Sequence, residues 1–217
     1  MNTGIDVVLV VILLSVLLSL ASSRMMALVK IMALQGAMVS IAPLLLDEHS
    51  PLSNEGILFF QLMFLIKAAL IPGLLYLAVT KVAIKREVEP IVGYHASLVV
   101  GLGLILLSAY ITHHLGISLT GDAALLLIAA ITTLGGGLFL MMSRTKAITQ
   151  VIGYLMLENG IYLVGTALTG QSHSIYLVEF GVLLDLLVGV MIMGIILHNI
   201  NRTFDDVDTA YLGQLKD

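Results

Sequence analysis

Five ionisable side chains stand inside stretches of sequence that are otherwise apolar: Lys30, Lys67, Glu158, Glu179 and Asp185. A charge at the centre of a membrane helix costs about 2.5–3.5 kcal/mol on insertion scales, so such groups face protein or water and often mark ion pathways. Glu158 and Asp185 are the deepest carboxylates, each near the midpoint of its run, on what the pattern makes the sixth and seventh helices. Adjacent antiparallel helices bring them to similar depth. Residues three or four apart share a helix face, which groups Glu158 with Tyr154, Leu155, Ile161 and Tyr162 and gives it two phenol neighbours. Lys67 is surrounded by Phe64, Leu65, Ala68 and Leu70, too far from either end to snorkel. Pro72, five positions on, removes the backbone donor that would bond Ala68, which predicts a bend beside the lysine.

Two acids with a movable cation can pass protons, because burial and a neighbouring cation push a carboxylate's proton affinity in opposite directions. The same residues also suit static ion pairs and hydrogen-bonded networks between helices. Glu179 lies near the outer end of the last run, where interfacial water or Tyr176 could satisfy it, or where it could serve proton exit. Lys30, about one and a half turns from a cytoplasmic helix end, is placed to snorkel toward the headgroups.

The elements that must carry these groups follow from composition. With 59% hydrophobic and only 11% charged residues, and a mean hydropathy of +1.08, the chain is an integral membrane protein. A bilayer core of about 30 Å needs about 20 consecutive apolar residues. Seven such runs occur, at 4–21, 25–46, 56–80, 91–112, 122–143, 147–169 and 175–199. The expected fold is therefore an all-α integral membrane protein of seven transmembrane helices, with no room for a soluble catalytic domain. The first run is retained rather than cleaved: small residues follow it at Ala21–Ser23, but the basic residue comes after it, at Arg24, not before it.

Lys and Arg accumulate in cytoplasmic loops. The first, third and fifth connections and the tail hold Arg24, Lys81, Lys85, Arg86, Arg144, Lys146, Arg202 and Lys216, whereas the alternate connections hold none. The expected orientation is N-terminus outside and C-terminus in the cytoplasm. With no cysteine, the chain itself offers no thiolate-ligated cluster and no Cys-type zinc site. The glycines of 101–103 and 135–137 suit close helix approach, not phosphate binding. The methionines suit packing. His95 and His198 share a depth near cytoplasmic helix ends, too little to favour a haem over hydrogen bonding. The tail, with Asp205, Asp206 and Asp208 followed by Tyr211, Leu212 and Leu215, suits ordering against a partner subunit.

The stretch SRTKAITQVIGYLMLENGIYLVG, followed by YLVEFGVLLDLLVGVMIMGIILHNINRTF, resembles the membrane component E of hydrogenase-4 and formate hydrogenlyase complexes, a family related to the K subunit of respiratory complex I. The resemblance divides the chain into a four-helix region (1–121), a three-helix module like the K subunit (122–199) and a cytoplasmic tail (200–217). Asp185 in GVLLDLLVG matches the acidic position of the family's final helix. In the sixth helix the acid of complex I K subunits corresponds to Leu155, and here Glu158 stands one turn later, a shift of about 4.5 Å on the same face.

The resemblance implies a non-enzymatic subunit of an oxidoreductase complex in a bacterial or archaeal cytoplasmic membrane. Its implied partners are antiporter-like membrane subunits, the membrane anchor of a soluble hydrogenase arm, and lipid, with no nucleic acid. It implies no cofactor in this chain, with nickel-iron and iron-sulfur centres in the partner subunits. The expected proton path is Glu158, Asp185, Lys67 and Glu179. Two other readings stand beside it: a subunit of a multisubunit sodium/proton antiporter, and a purely architectural membrane anchor.

Overall fold

The computed structural model describes residues 3–46, 54–81, 91–115, 121–169, 188–192 and 194. They form α1 (Thr3–Ala21), α2 (Met25–Leu46), α3 (Asn54–Leu65), a π-helical segment (Ile66–Leu70), α4 (Ile71–Lys81), α5 (Tyr94–His114), α6 (Gly121–Ser143) and α7 (Ala147–Thr169). No strand occurs among the described residues. Six helical stretches are long and apolar enough to cross a membrane, α3, the π segment and α4 together supplying one of them at Phe60–Thr80. They correspond to the first six predicted runs. The seventh run lies mostly outside the described residues, with 188–192 helical.

Two differences from the sequence reading have local causes. The fourth span starts at Tyr94 instead of residue 91, because Ile91 is drawn into the turn between α6 and α7, donating its N–H to the Ser143 carbonyl at 2.9 Å. The third span does not simply bend at Pro72. It widens first into the π segment, whose last turn closes when Ile71 N–H bonds the Ile66 carbonyl.

α5 shows which solvent this bundle is built for. Its buried face carries Ser97, Gly101, Ser108 and Thr112, and its exposed face carries Val99, Leu102, Leu106, Leu107 and Tyr110. Small and weakly polar residues face protein while large apolar ones face out, the arrangement expected where lipid is the surroundings and close backbone approach drives association.

α6 is the hub, packing on α7, α5 and α1. Its three consecutive glycines each meet a different neighbour. A Cβ on Gly135 would fall 3.1 Å from Leu104 of α5, one on Gly136 would fall 2.6 Å from Val16 of α1, and one on Gly137 would fall 2.7 Å from the Gly153 carbonyl of α7. At Gly137 the obstacle is backbone, so no side chain larger than hydrogen fits there without moving a helix, while at Gly136 the Val16 side chain would have to give way.

Two apolar clusters fill the interior. One surrounds the end holding the α1–α2 and α6–α7 turns, with Val16, Leu20, Leu28, Met32, Leu75, Leu140, Ile152 and Met156. The other occupies the opposite end, with Ile5, Leu9, Ile12, Val39, Leu126, Ala130 and Leu163. Each helix that contributes to both changes over at a buried polar residue: Ser15 on α1, Gln35 on α2, Thr132 and Thr133 on α6, Glu158 and Asn159 on α7. A polar seam thus separates the clusters at about half the depth of the bundle, and Thr132 extends it to α5 through a 2.7 Å hydrogen bond with Ser108.

Arg144, read from the sequence as a loop cation, is 1% exposed. Its guanidinium donates to the Val92 carbonyl at 3.0 Å and the Leu20 carbonyl at 2.9 Å, and its centre lies 5.0 Å from the Tyr94 ring. One side chain therefore ties the end of α1, the start of α5 and the α6–α7 turn together. Burial pulls its pKa down and Tyr94 acts in the opposite direction, but a guanidinium starts high enough to stay charged.

Candidate functional site

The seam becomes ionic where α7 meets the π segment. Glu158 is the central residue of the 23-residue α7, and α7 is held against α6 by glycines: a Cβ on Gly160 would fall 2.5 Å from the Leu134 backbone nitrogen. That approach fixes the rotation of α7 and points Glu158 away from α6. Opposite it, Lys67 is buried in the π segment. The Lys67 Nζ donates to Glu158 Oε1 as an ion pair and to Asn159 Oδ1 at 3.3 Å. Lys67 is 6% and Glu158 2% exposed, so both charges are out of reach of bulk solvent. The Tyr162 ring, one turn along α7, lies 5.9 Å from Nζ, in range of a cation–π contact.

Three local features of sequence put Lys67 there. Pro72 has no N–H for the carbonyls one turn earlier, and the chain adopts a π turn just before it, a rare geometry common at functional sites. Gly36 of α2 lets that segment approach: a Cβ at position 36 would fall 2.5 Å from the Lys67 carbonyl oxygen. Finally, Met32, Ile71, Pro72 and Leu155 line with Lys67 and Asn159 a small cleft that has room for about one water molecule. The arrangement can hold a charge pair in low dielectric, with a small, mostly apolar cleft beside it. A proton arriving at Glu158 would remove the charge that holds Lys67.

Of the four expected path residues, Lys67 and Glu158 are brought into contact. Glu179 and Asp185 lie outside the described residues. Asn159, adjacent to Glu158 in sequence, joins the same ammonium. Tyr162 faces the cation, in keeping with its place on the Glu158 face, while Tyr154 packs at the edge of the apolar cluster nearest the α6–α7 turn. Lys30 is exposed, as a snorkelling lysine would be, and His95 is exposed while His198 lies outside the described residues. Among the described residues no group of three or more His, Asp or Glu side chains is placed to hold a metal ion. Sequence reasoning missed Gln35, whose signal was an amide at the midpoint of a 22-residue apolar helix.

No family model and no solved structure matches the chain. Among curated proteins it is similar to hydrogenase-4 component E of Escherichia coli and of Shigella flexneri, at 24% identity over 70% of this chain and 70% of each relative. It is also 33% identical to Uncharacterized protein Rv0085 of Mycobacterium tuberculosis over 200 residues, 88% of this chain and 86% of that protein. A match of that identity and extent means that the chain belongs to the same family of multi-pass membrane proteins as Rv0085.

Proposed function

We propose that this chain is a non-catalytic membrane subunit of a hydrogenase-4-type, complex I-related assembly in a prokaryotic cytoplasmic membrane, and that it contributes to proton translocation driven by redox chemistry in partner subunits. The observation that carries the reading is the Lys67–Glu158 pair, buried at mid-membrane on a π turn. The similarity to hydrogenase-4 component E supplies the kind of assembly.

The chemistry follows from the pair. Unprotonated, Glu158 is neutralised by the Lys67 ammonium, so neither is left as an uncompensated charge in low dielectric. A proton taken up by Glu158 makes the carboxyl neutral and frees the ammonium, with Asn159 and the Tyr162 face still able to receive it. Release of that proton restores the pair. A cycle of this kind needs a second acceptor, and Asp185 and Glu179 are the proposed next stations. In this reading the antiporter-like subunits and the hydrogenase anchor lie beside the chain, and the nickel-iron and iron-sulfur centres belong to them.

Proton uptake into vesicles by the intact complex, with Glu158→Gln and Asp185→Asn tested beside the parent, decides the matter. Loss of uptake with assembly and redox turnover retained is the expected result. Undiminished uptake in an assembled Glu158→Gln complex would make the pair architectural and sink the proposal.

A further inference from the structure

Three connections meet at the end of the bundle that holds the α1–α2 and α6–α7 turns. Arg144 ties them together, donating to the Leu20 carbonyl near the close of α1 and to the Val92 carbonyl just before α5, while Ile91 bonds the Ser143 carbonyl at the close of α6. The connections thus form one packed platform. Ser23, Arg24, His95 and Thr145 are exposed on it, and Lys146 is half-buried. α2, α5 and α7 all begin there, at Met25, Tyr94 and Ala147, so the positive ends of three helices add to the cations. Among the described residues this end carries no Asp or Glu, and the connection 82–90, outside them, sets Lys85 and Arg86 against Glu87 and Glu89. Ile91, an apolar side chain 66% exposed, stands beside these charges.

The course of the chain names the occupant. α7 leaves the platform and ends at Thr169, whereas Val188 and Ile192 belong again to the apolar cluster of the turn end, so the chain is returning to the platform as it passes them. Asp205 stands thirteen positions beyond Ile192. At about 1.5 Å per residue in a helix and about 3.3 Å extended, that is a reach of about 20–43 Å, enough to cross neighbouring helices packed about 8–10 Å apart. The segment that arrives, FDDVDTAYL, concentrates Asp205, Asp206 and Asp208 among Phe204, Val207, Tyr211 and Leu212. Its charge is opposite to that of the platform, and it brings apolar side chains to match Ile91.

We propose that residues 204–212 of this same chain dock on the platform, the aspartates against Arg24 and the positive helix ends, the apolar side chains over Ile91. Docked, the segment fastens the end of the last apolar run, which carries Asp185, to the starts of α2, α5 and α7. The proposal is independent of proton transfer through Lys67 and Glu158.

The chain has no cysteine, which suits disulfide trapping in the whole complex in its membrane. Ala210→Cys is paired in turn with Ser23→Cys or Thr145→Cys on the platform and with His113→Cys at the opposite end, and linked peptides are identified by mass spectrometry after mild oxidation. The expected result is a link from 210 to 23 or 145 and none to 113. Replacing Asp205, Asp206 and Asp208 by Lys lowers the yield to the level of the 113 control, and adding Arg24→Glu to that variant restores part of it. Raising the salt concentration lowers the parent's yield as well, because exposed charges are screened. Should the triple variant fail to assemble, Asp206→Asn removes one charge at nearly constant shape and gives a smaller drop of the same sign. A tail cysteine linked to a partner subunit and to neither platform position assigns the segment to that neighbour and overturns the proposal, as does the absence of any link. A platform link whose yield ignores both the aspartate substitutions and salt means that the tail passes the platform without docking, which overturns it too.

Discussion

An ammonium at the depth of Lys67 is stable only because of what surrounds it, which makes its substitutions diagnostic. Lys67→Met strands Glu158 as a buried charge, and removing one partner of such a pair costs about 3–5 kcal/mol. Replacing both, Lys67→Met with Glu158→Met, is expected to recover most of that loss, because an apolar pair of similar size is near neutral in the same place. Thermal melting of the detergent-solubilised complex distinguishes the two, and a double variant no better than the single one would argue against direct pairing. Arg144 offers a parallel case at the bundle end. Its forked guanidinium reaches two carbonyls from different segments, a span that a lysine's single ammonium does not reproduce. Arg144→Lys is therefore expected to lower stability by about 1.5–3 kcal/mol, the worth of one charged hydrogen bond. Lys67 and Glu158 were legible in the sequence because a charge in an apolar run stands out by type alone. Their contact was not, since it depends on the rotation of α7, which backbone-to-backbone packing at Gly160 sets. Gln35 escaped notice because an uncharged amide costs too little on any hydropathy scale to interrupt a run.

At the scale of elements, packing is decided where side chains are missing. Gly137→Ala puts a methyl group within 2.7 Å of a backbone carbonyl on α7, so the helices must part. Overpacking of this kind costs about 1–3 kcal/mol. Gly73→Ala is the control: nothing lies within 4 Å of its added Cβ, and the higher helix propensity of alanine is worth about 1 kcal/mol. Melting curves should therefore move in opposite directions for the two variants, and equal shifts would remove the close-approach explanation. The glycine triplet could be read from the sequence as a packing device, but not which neighbour each glycine receives. Pro72 likewise announced a missing donor, yet a missing donor is compatible with a kink or with a widened turn. The approach of Gly36 to the Lys67 carbonyl, a contact between residues distant in sequence, accompanies the widened turn.

For the whole molecule, the spans were the most legible feature, because bilayer thickness fixes helix length; the orientation expected from loop charge is a prediction of its own. The complete absence of cysteine makes the orientation easy to check. A single cysteine at Ser22 should react with a membrane-impermeant thiol reagent only from the cytoplasmic side, and one at His113 only from the outside. Reversed accessibility would overturn the inferred topology.

The three glycines of α6 have a mechanical consequence for the same bundle. Over one turn, α6 presents no side chain of its own: Leu104 of α5 and Val16 of α1 reach its backbone with their side chains, and Gly137 lies against the backbone of α7. At that turn the distance between α6 and α7 is set by backbone against backbone, so neither helix can take a side chain there without the pair parting. Glu158 follows directly on Leu157, whose backbone meets Gly137, so the spacing set there fixes the depth at which the carboxylate is presented.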